Sequence, residues 1–312
     1  MAPRPVLQAL LVPFAIAGCR AVPPTHGSSA REGHVRAERP DDASRVAASL
    51  DELAPRVRAL LPDTRERRVE VWVQEDPVLY RFPHFSYADA DGLYVAGAGR
   101  IHLRRDAEHL DRTLAHELVH ASLGEAWRTL PGTLEEGVCD VASAALCPDA
   151  AGSLRAGRLA AAAFATGGLV VELLAPRHGA GPAPVRIALS ADPPLEIDPL
   201  EVFRARGGLA PSSLSPARKR ALYGLAYLVV ERIVERRGWP GLHALVARAE
   251  ADERERVPEA WLLDAAGLSC DRESWRRALA EALGPRELSQ LARLHAEVVP
   301  ADLVGLVWSP PH

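Results

Sequence analysis

The 312-residue chain changes its apolar period once, and that change bounds what it can fold into. Before residue 106 the ordered segments alternate. VEVWVQ at 69–74 puts Val69, Val71 and Val73 on one face, and the glycine-flanked LYVAG at 93–97 and RIHLRR at 100–105 read as a hairpin. From Asp106 onward apolar residues recur at three- and four-residue steps. Leu110, Leu114, Leu118 and Ala121 mark one helix, with Gly124 as its stop. One helix also precedes the strands, over about 43–60, where Val46, Leu50, Leu53, Val57 and Leu60 repeat before Pro62. Strands early and helices late argue an α+β fold.

The rest of the chain reads as follows. Pro131-Gly132-Thr133 opens a helix to about Cys147, stopped by Pro148. Residues 154–175 are mostly apolar but broken by Gly167, Gly168 and Glu172, so a buried helix pair is expected rather than a membrane span. The proline-rich 176–198 reads as loop with a short strand. A long helix starts at Ser215 and closes at Gly238 and Pro240, with two or three more helices over 241–295. Residues 286–312 form a C-terminal tail, and no internal repeat is present.

The N-terminus carries targeting information. Arg4 gives a positive start, Val6 to Ala17 is an apolar run too short to span a bilayer, and Ile16-Ala17-Gly18-Cys19 looks like a bacterial lipobox. That resemblance implies a signal peptide over 1–18 and a lipid on Cys19, hence a chain anchored to the cell envelope. Arg20 stands where Asp would signal inner-membrane retention, which favours the outer membrane. Residues 19–42, rich in Pro, Gly, Ser and charge, are expected to be a flexible tether. Cys139, Cys147 and Cys270 remain in the mature chain. On one helix Cys139 and Cys147 would lie about 12 Å apart, too far to pair, so their state is open. A net charge of −4 gives no footprint for nucleic acid.

The chemistry concentrates at His116-Glu117-Leu118-Val119-His120. On a helix, positions i and i+4 share a face, so two imidazoles can meet one ion, with Glu117 beside them to hold a water. The plain alternative is a helix carrying two histidines. A catalytic zinc needs a third protein ligand and an open fourth position. Downstream, LPGTLEEGVCD at 130–140 puts Glu136 and Asp140 on one helical face, Glu136 to ligate and Asp140 to accept the far N–H of a ligand histidine. Glu135 is the runner-up third ligand, and Cys139 reads as a small buried side chain.

HELVH, then Leu130-Pro131, Leu134-x-Glu136-Gly137 and Asp140, resembles the gluzincin metallopeptidases, nearest to bacterial peptidase-MA-like proteins. The chain departs from them at Thr133, where Trp is usual. Leu123 and Ala126 fit no metzincin. ALYGLAYLVVERIVERRGWPGLHALVARA at 221–249 is similar to the family's long C-terminal helix, so the likeness covers about 43–285. It implies a zincin-like domain over 43–285, with a small mixed sheet packed on the motif helix and a mainly helical remainder. It implies one Zn2+ per chain held by His116, His120 and Glu136. Glu117 would be the general base, Asp140 the partner of His116, and peptide or protein the substrate. Tyr223 is the candidate oxyanion donor, with Tyr227, His102, His109 and His178 behind it. The segment from Gly97 to His102 is the expected edge for a substrate backbone. The alternative is a catalytically inactive zinc-binding envelope lipoprotein on a peptidase-like fold.

Overall fold

The computed structural model describes residues 24–75, 91–177, 180–189, 195, 197–204, 215–284, 286–287, 290 and 306–309. The signal peptide, Cys19 and His178 lie outside these residues. The fold is mixed α+β, as expected. Five strands form the first sheet: β1 (His26–Ala30), β2 (Gly33–Ala37), β3 (Val69–Gln74), β4 (Gly92–Val95) and β5 (Arg100–Arg104), in the order β1-β2-β3-β5-β4. β2, β3 and β5 run parallel, while β1 and β4 are antiparallel to their neighbours.

Register explains why one face of this sheet is dry. Val35, Val71 and Ile101 are cross-strand partners, as are Ala37, Val73 and Leu103, and all six are buried. Helix α1 (Pro40–Leu60) is the crossover from β2 to β3 and covers those rows with Val46, Leu50, Leu53 and Val57. Helix α2 (Leu110–Ser122) follows β5 and buries Leu110, Leu114 and Leu118 in the same core.

The expected tether is corrected here. Residues 26–37 are β1 and β2, and they are held by more than apolar contact. Arg58 of α1 donates two bonds to the Glu32 carboxylate, at 2.8 and 3.0 Å, and Asp51 caps the Glu32 N–H at 3.0 Å. Parallel pairing to β3 supplies the rest.

The second half is mainly helical: α3 (Leu134–Leu146), α4 (Pro148–Ala165), α5 (Pro216–Ala251), α6 (Glu259–Ala266) and α7 (Arg272–Ala282). Ser215 caps α5 by accepting from the Arg218 N–H. α5 bends at Gly238, whose φ of 68° is a left-handed conformation open to glycine. Its first arm lies against α3 and α4 at near-backbone distance. A Cβ on Gly137 would come within 2.5 Å of the Ala226 carbonyl, and one on Gly224 within 2.3 Å of the Arg158 carbonyl. The second arm packs on the 3-10 turn Ala126–Thr129, where Thr129 donates to the Val246 carbonyl.

Two further expectations are corrected. Residues 154–175 are not a helix pair: α4 ends at Ala165 and strand β6 (Leu169–Arg177) follows. Glycines 167 and 168, both at positive φ, end the helix and begin the strand instead of joining two helices. β6 pairs antiparallel with β7 (Ala180–Leu189), and β7 with β8 (Leu306–Ser309), so part of the expected tail belongs to a three-stranded sheet. Cys139, Cys147 and Cys270 are free thiols. No helix among the described residues is long and apolar enough to cross a membrane.

Candidate metal centre

Helix α2 carries His116, Glu117 and His120 on the side that meets α3. One helical turn separates the two histidines, whose ring centroids are 5.1 Å apart. α3 brings Glu136 in its first turn. The Glu136 Oε2 atom lies 3.5 Å from His116 Nε2 and 3.7 Å from His120 Nε2. A tetrahedral zinc with bonds of roughly 2.0–2.1 Å spans ligand–ligand edges of roughly 3.3 Å. The two edges that Glu136 Oε2 makes with the histidines are close to that length.

The far nitrogens are also occupied. His116 Nδ1 is 3.0 Å from Asp140 Oδ1, an ion-pair contact that falls short of a well-angled hydrogen bond. Asp140 is 1% exposed, and its other oxygen accepts from Arg158 Nε of α4 at 2.6 Å. His120 Nδ1 is 2.7 Å from Glu135 Oε1. Each imidazole thus has a carboxylate behind it that favours Nε2 as the inward-facing atom. Glu135, the runner-up ligand, stands behind a histidine instead of between the two.

Glu117 is buried against the edge strand. A Cβ on Gly92 would lie 2.7 Å from its Oε1, so the bare glycine of β4 makes room for this side chain. Burial raises the Glu117 carboxyl above its ordinary value, against the pull of both histidines and the Tyr94 backbone N–H. Burial works against charge on the other groups too, and there it loses. The Asp140 and Glu136 carboxylates carry His116 up to about 9. Cys139, Glu135 and Glu136 push His120 well above its ordinary value. The two histidines hold Glu136 well below its own.

Cys139 is closer to the centre than a spacer residue would be. Its Sγ and one nitrogen of each histidine all lie within 4.8 Å of one another, so His116, His120 and Cys139 form a cluster able to hold a metal ion. Burial raises the thiol well above its ordinary value and keeps it protonated.

The other candidates separate. Tyr223 sits on α5 with its ring 5.4 Å from the Arg158 guanidinium carbon, one residue removed from Asp140. Tyr227 is buried and bonds Glu231. His102 faces away from Ile101 and Leu103, bonding Gln74 at 2.9 Å and stacking edge-on to Trp72, so it leaves the site. His109 precedes α2 beside Glu108. The expected substrate edge is corrected as well. Residues 100–102 belong to β5, flanked on both sides by β3 and β4, and 96–98 form a 3-10 turn. The outer strands of the described sheet are β1 and β4, and β4 is the one beside β5.

Arg158 was not among the sequence candidates. Its signal was faint: one of two arginines, with Arg155, in a helical stretch otherwise apolar, LRAGRLAAAAFA. Compared with family models, with curated proteins and with solved structures, the chain matches none.

Proposed function

We propose that this protein is a zinc-dependent metallopeptidase of gluzincin type, hydrolysing peptide bonds with His116, His120 and Glu136 as metal ligands. The observation that carries the reading is the approach of both Nε2 atoms to one oxygen of Glu136, with a carboxylate behind each Nδ1. Zinc held there supplies Lewis acidity and activates a water molecule. Glu117 takes the proton of that water on its carboxylate and returns it to the leaving nitrogen. Its raised affinity for protons suits that exchange. Asp140 and Glu135 keep the imidazoles oriented. Among the described residues β4 is an edge strand, suited to pair with an extended peptide backbone, and Tyr223 is the candidate donor to the developing oxyanion. With a lipid on Cys19, the enzyme works at the cell envelope.

Glu117→Gln tests this directly. Zinc stays near one per chain and turnover of a casein or peptide-library substrate is lost; turnover that survives sinks the reading. Cys139 favours a second one. If its thiolate joins His116, His120 and Glu136, the site is closed in the manner of structural zinc, and the protein is an inactive zinc-binding scaffold. Bound zinc with no cleavage of any substrate selects that alternative.

A further inference from the structure

Beside His120 the centre opens into a cleft. The end of α2, the Ala126–Thr129 turn, the loop before β3 and Tyr94 of β4 wall it in, and Trp127 lies buried at its base. Three guanidinium groups line it: Arg65, Arg67 and Arg128. In a chain of net charge −4 that local excess of positive charge runs against the whole. The acids nearby, Glu125, Glu135 and Asp63, are already engaged, Asp63 by accepting from the Ala126 N–H at 3.3 Å. Glu125 is shared between Arg65 and Arg128. Glu135 is engaged by His120. Arg67 donates to the Tyr94 hydroxyl and has no carboxylate partner among the described residues.

The arginines are carried on fixed backbone. The Arg65 N–H donates to the Ser122 carbonyl at 2.7 Å, the Gly124 N–H to the Asp63 carbonyl at 2.8 Å, and Thr64 pairs with Leu123. The loop before β3 is therefore stitched to the end of the helix that bears both histidines. A planar guanidinium matches a carboxylate with two parallel bonds, and a pocket one side chain from the metal is where the residue flanking the scissile bond must sit.

We infer that this cleft receives a carboxylate of the bound peptide, either an acidic side chain or the chain's own C-terminus. The inference gives a substrate class to the peptidase reading above, and the role of a peptide rests on that reading. The preference for a carboxylate rests on the arginines alone.

The test is binding, not turnover. Affinities of three probes are measured by nuclear magnetic resonance titration of the full chain, zinc-free and zinc-loaded: acetyl-Gly-Gly-Glu-amide, acetyl-Gly-Gly-Gly with a free carboxylate, and acetyl-Gly-Gly-Gln-amide. At least one carboxylate probe binds about fivefold tighter than the glutamine probe in both forms, the gain expected of a partly exposed ion pair. The tighter of the two identifies side chain or C-terminus. Arg67→Gln, an exposed position outside the metal centre, removes most of that preference; Arg128→Gln provides an independent check. Equal affinity for all three probes, or no binding of any, overturns the inference. Zinc content of the same samples keeps the two readings apart. Zinc without a preference sinks the carboxylate cleft alone, and a preference without zinc sinks the metallopeptidase alone.

Discussion

The two histidines are one turn apart on the same helix, yet their surroundings are opposites. His116 is backed by Asp140, 1% exposed, which is itself held by Arg158 of another helix. His120 is backed by Glu135, whose side chain is 49% exposed at the mouth of the arginine-lined cleft. One flank is a buried ion-pair chain that three helices close over. The other is a half-exposed contact at the mouth of the cleft. The difference teaches that two imidazoles on one helical face can be held by very different means, one by a buried ion-pair chain and one by a half-exposed carboxylate. The stability of the centre resides on the first flank.

The strongest way to break that division is Asp140→Ala. It strands a largely buried Arg158 charge and frees His116, so the loss of stability is about 3–5 kcal/mol. Zinc affinity falls on the order of 10–100-fold. Denaturant unfolding and chelator competition read the two effects. Arg158→Met probes the same chain from its other end, through pH. Burial alone would raise the Asp140 carboxyl, but the Arg158 guanidinium and His116 hold it below its ordinary value. Such a group adds stability above its unfolded pKa and loses it as pH falls through the lower folded one. Without Arg158 burial prevails, and the acid unfolding midpoint, followed by circular dichroism, moves to higher pH.

The open flank should yield much less. Glu135→Gln leaves unfolding nearly unchanged and weakens zinc by a few-fold, roughly the 0.2–1 kcal/mol of an exposed pair. A loss as large as that of Asp140→Ala would erase the contrast between the flanks. Cys139→Ala is the mildest change. Zinc stays at one per chain by mass spectrometry, and stability falls by about 1 kcal/mol for the small cavity. Loss of zinc in this variant would move Cys139 into the ligand set.

Helical spacing made the centre readable. His116 and His120, and Glu136 and Asp140, follow from i, i+4 geometry on two helices, with Glu117 next to His116, and the structure brings these five together. Arg158 did not follow, because it reaches Asp140 from a third helix and no spacing connects them. β1 and β2 were hidden for a different reason. Their apolar content is Ala30, Val35 and Ala37, too little to show a period, and their stability comes from pairing with a strand over thirty residues on and from the Glu32–Arg58 pair. In 154–175 composition was mostly apolar, so it could not distinguish a helix from a strand; the glycines that divide them were visible, but not their backbone angles. The edge strand was misplaced by one hairpin arm. Both arms were recognised, but which one faces outward depends on β3 lying alongside β5.

The bend at Gly238 has a mechanical consequence. One arm of α5 is pressed onto α3 and α4, the other onto the turn that presents Trp127 and Arg128 to the cleft. A single elbow therefore joins two supports, one behind the helices that carry Asp140 and Arg158 and the other behind the turn that lines the cleft. The angle between those two supports is fixed at one left-handed glycine, so Gly238 couples the packing of the two halves of the helix although it lines neither the histidine cluster nor the cleft.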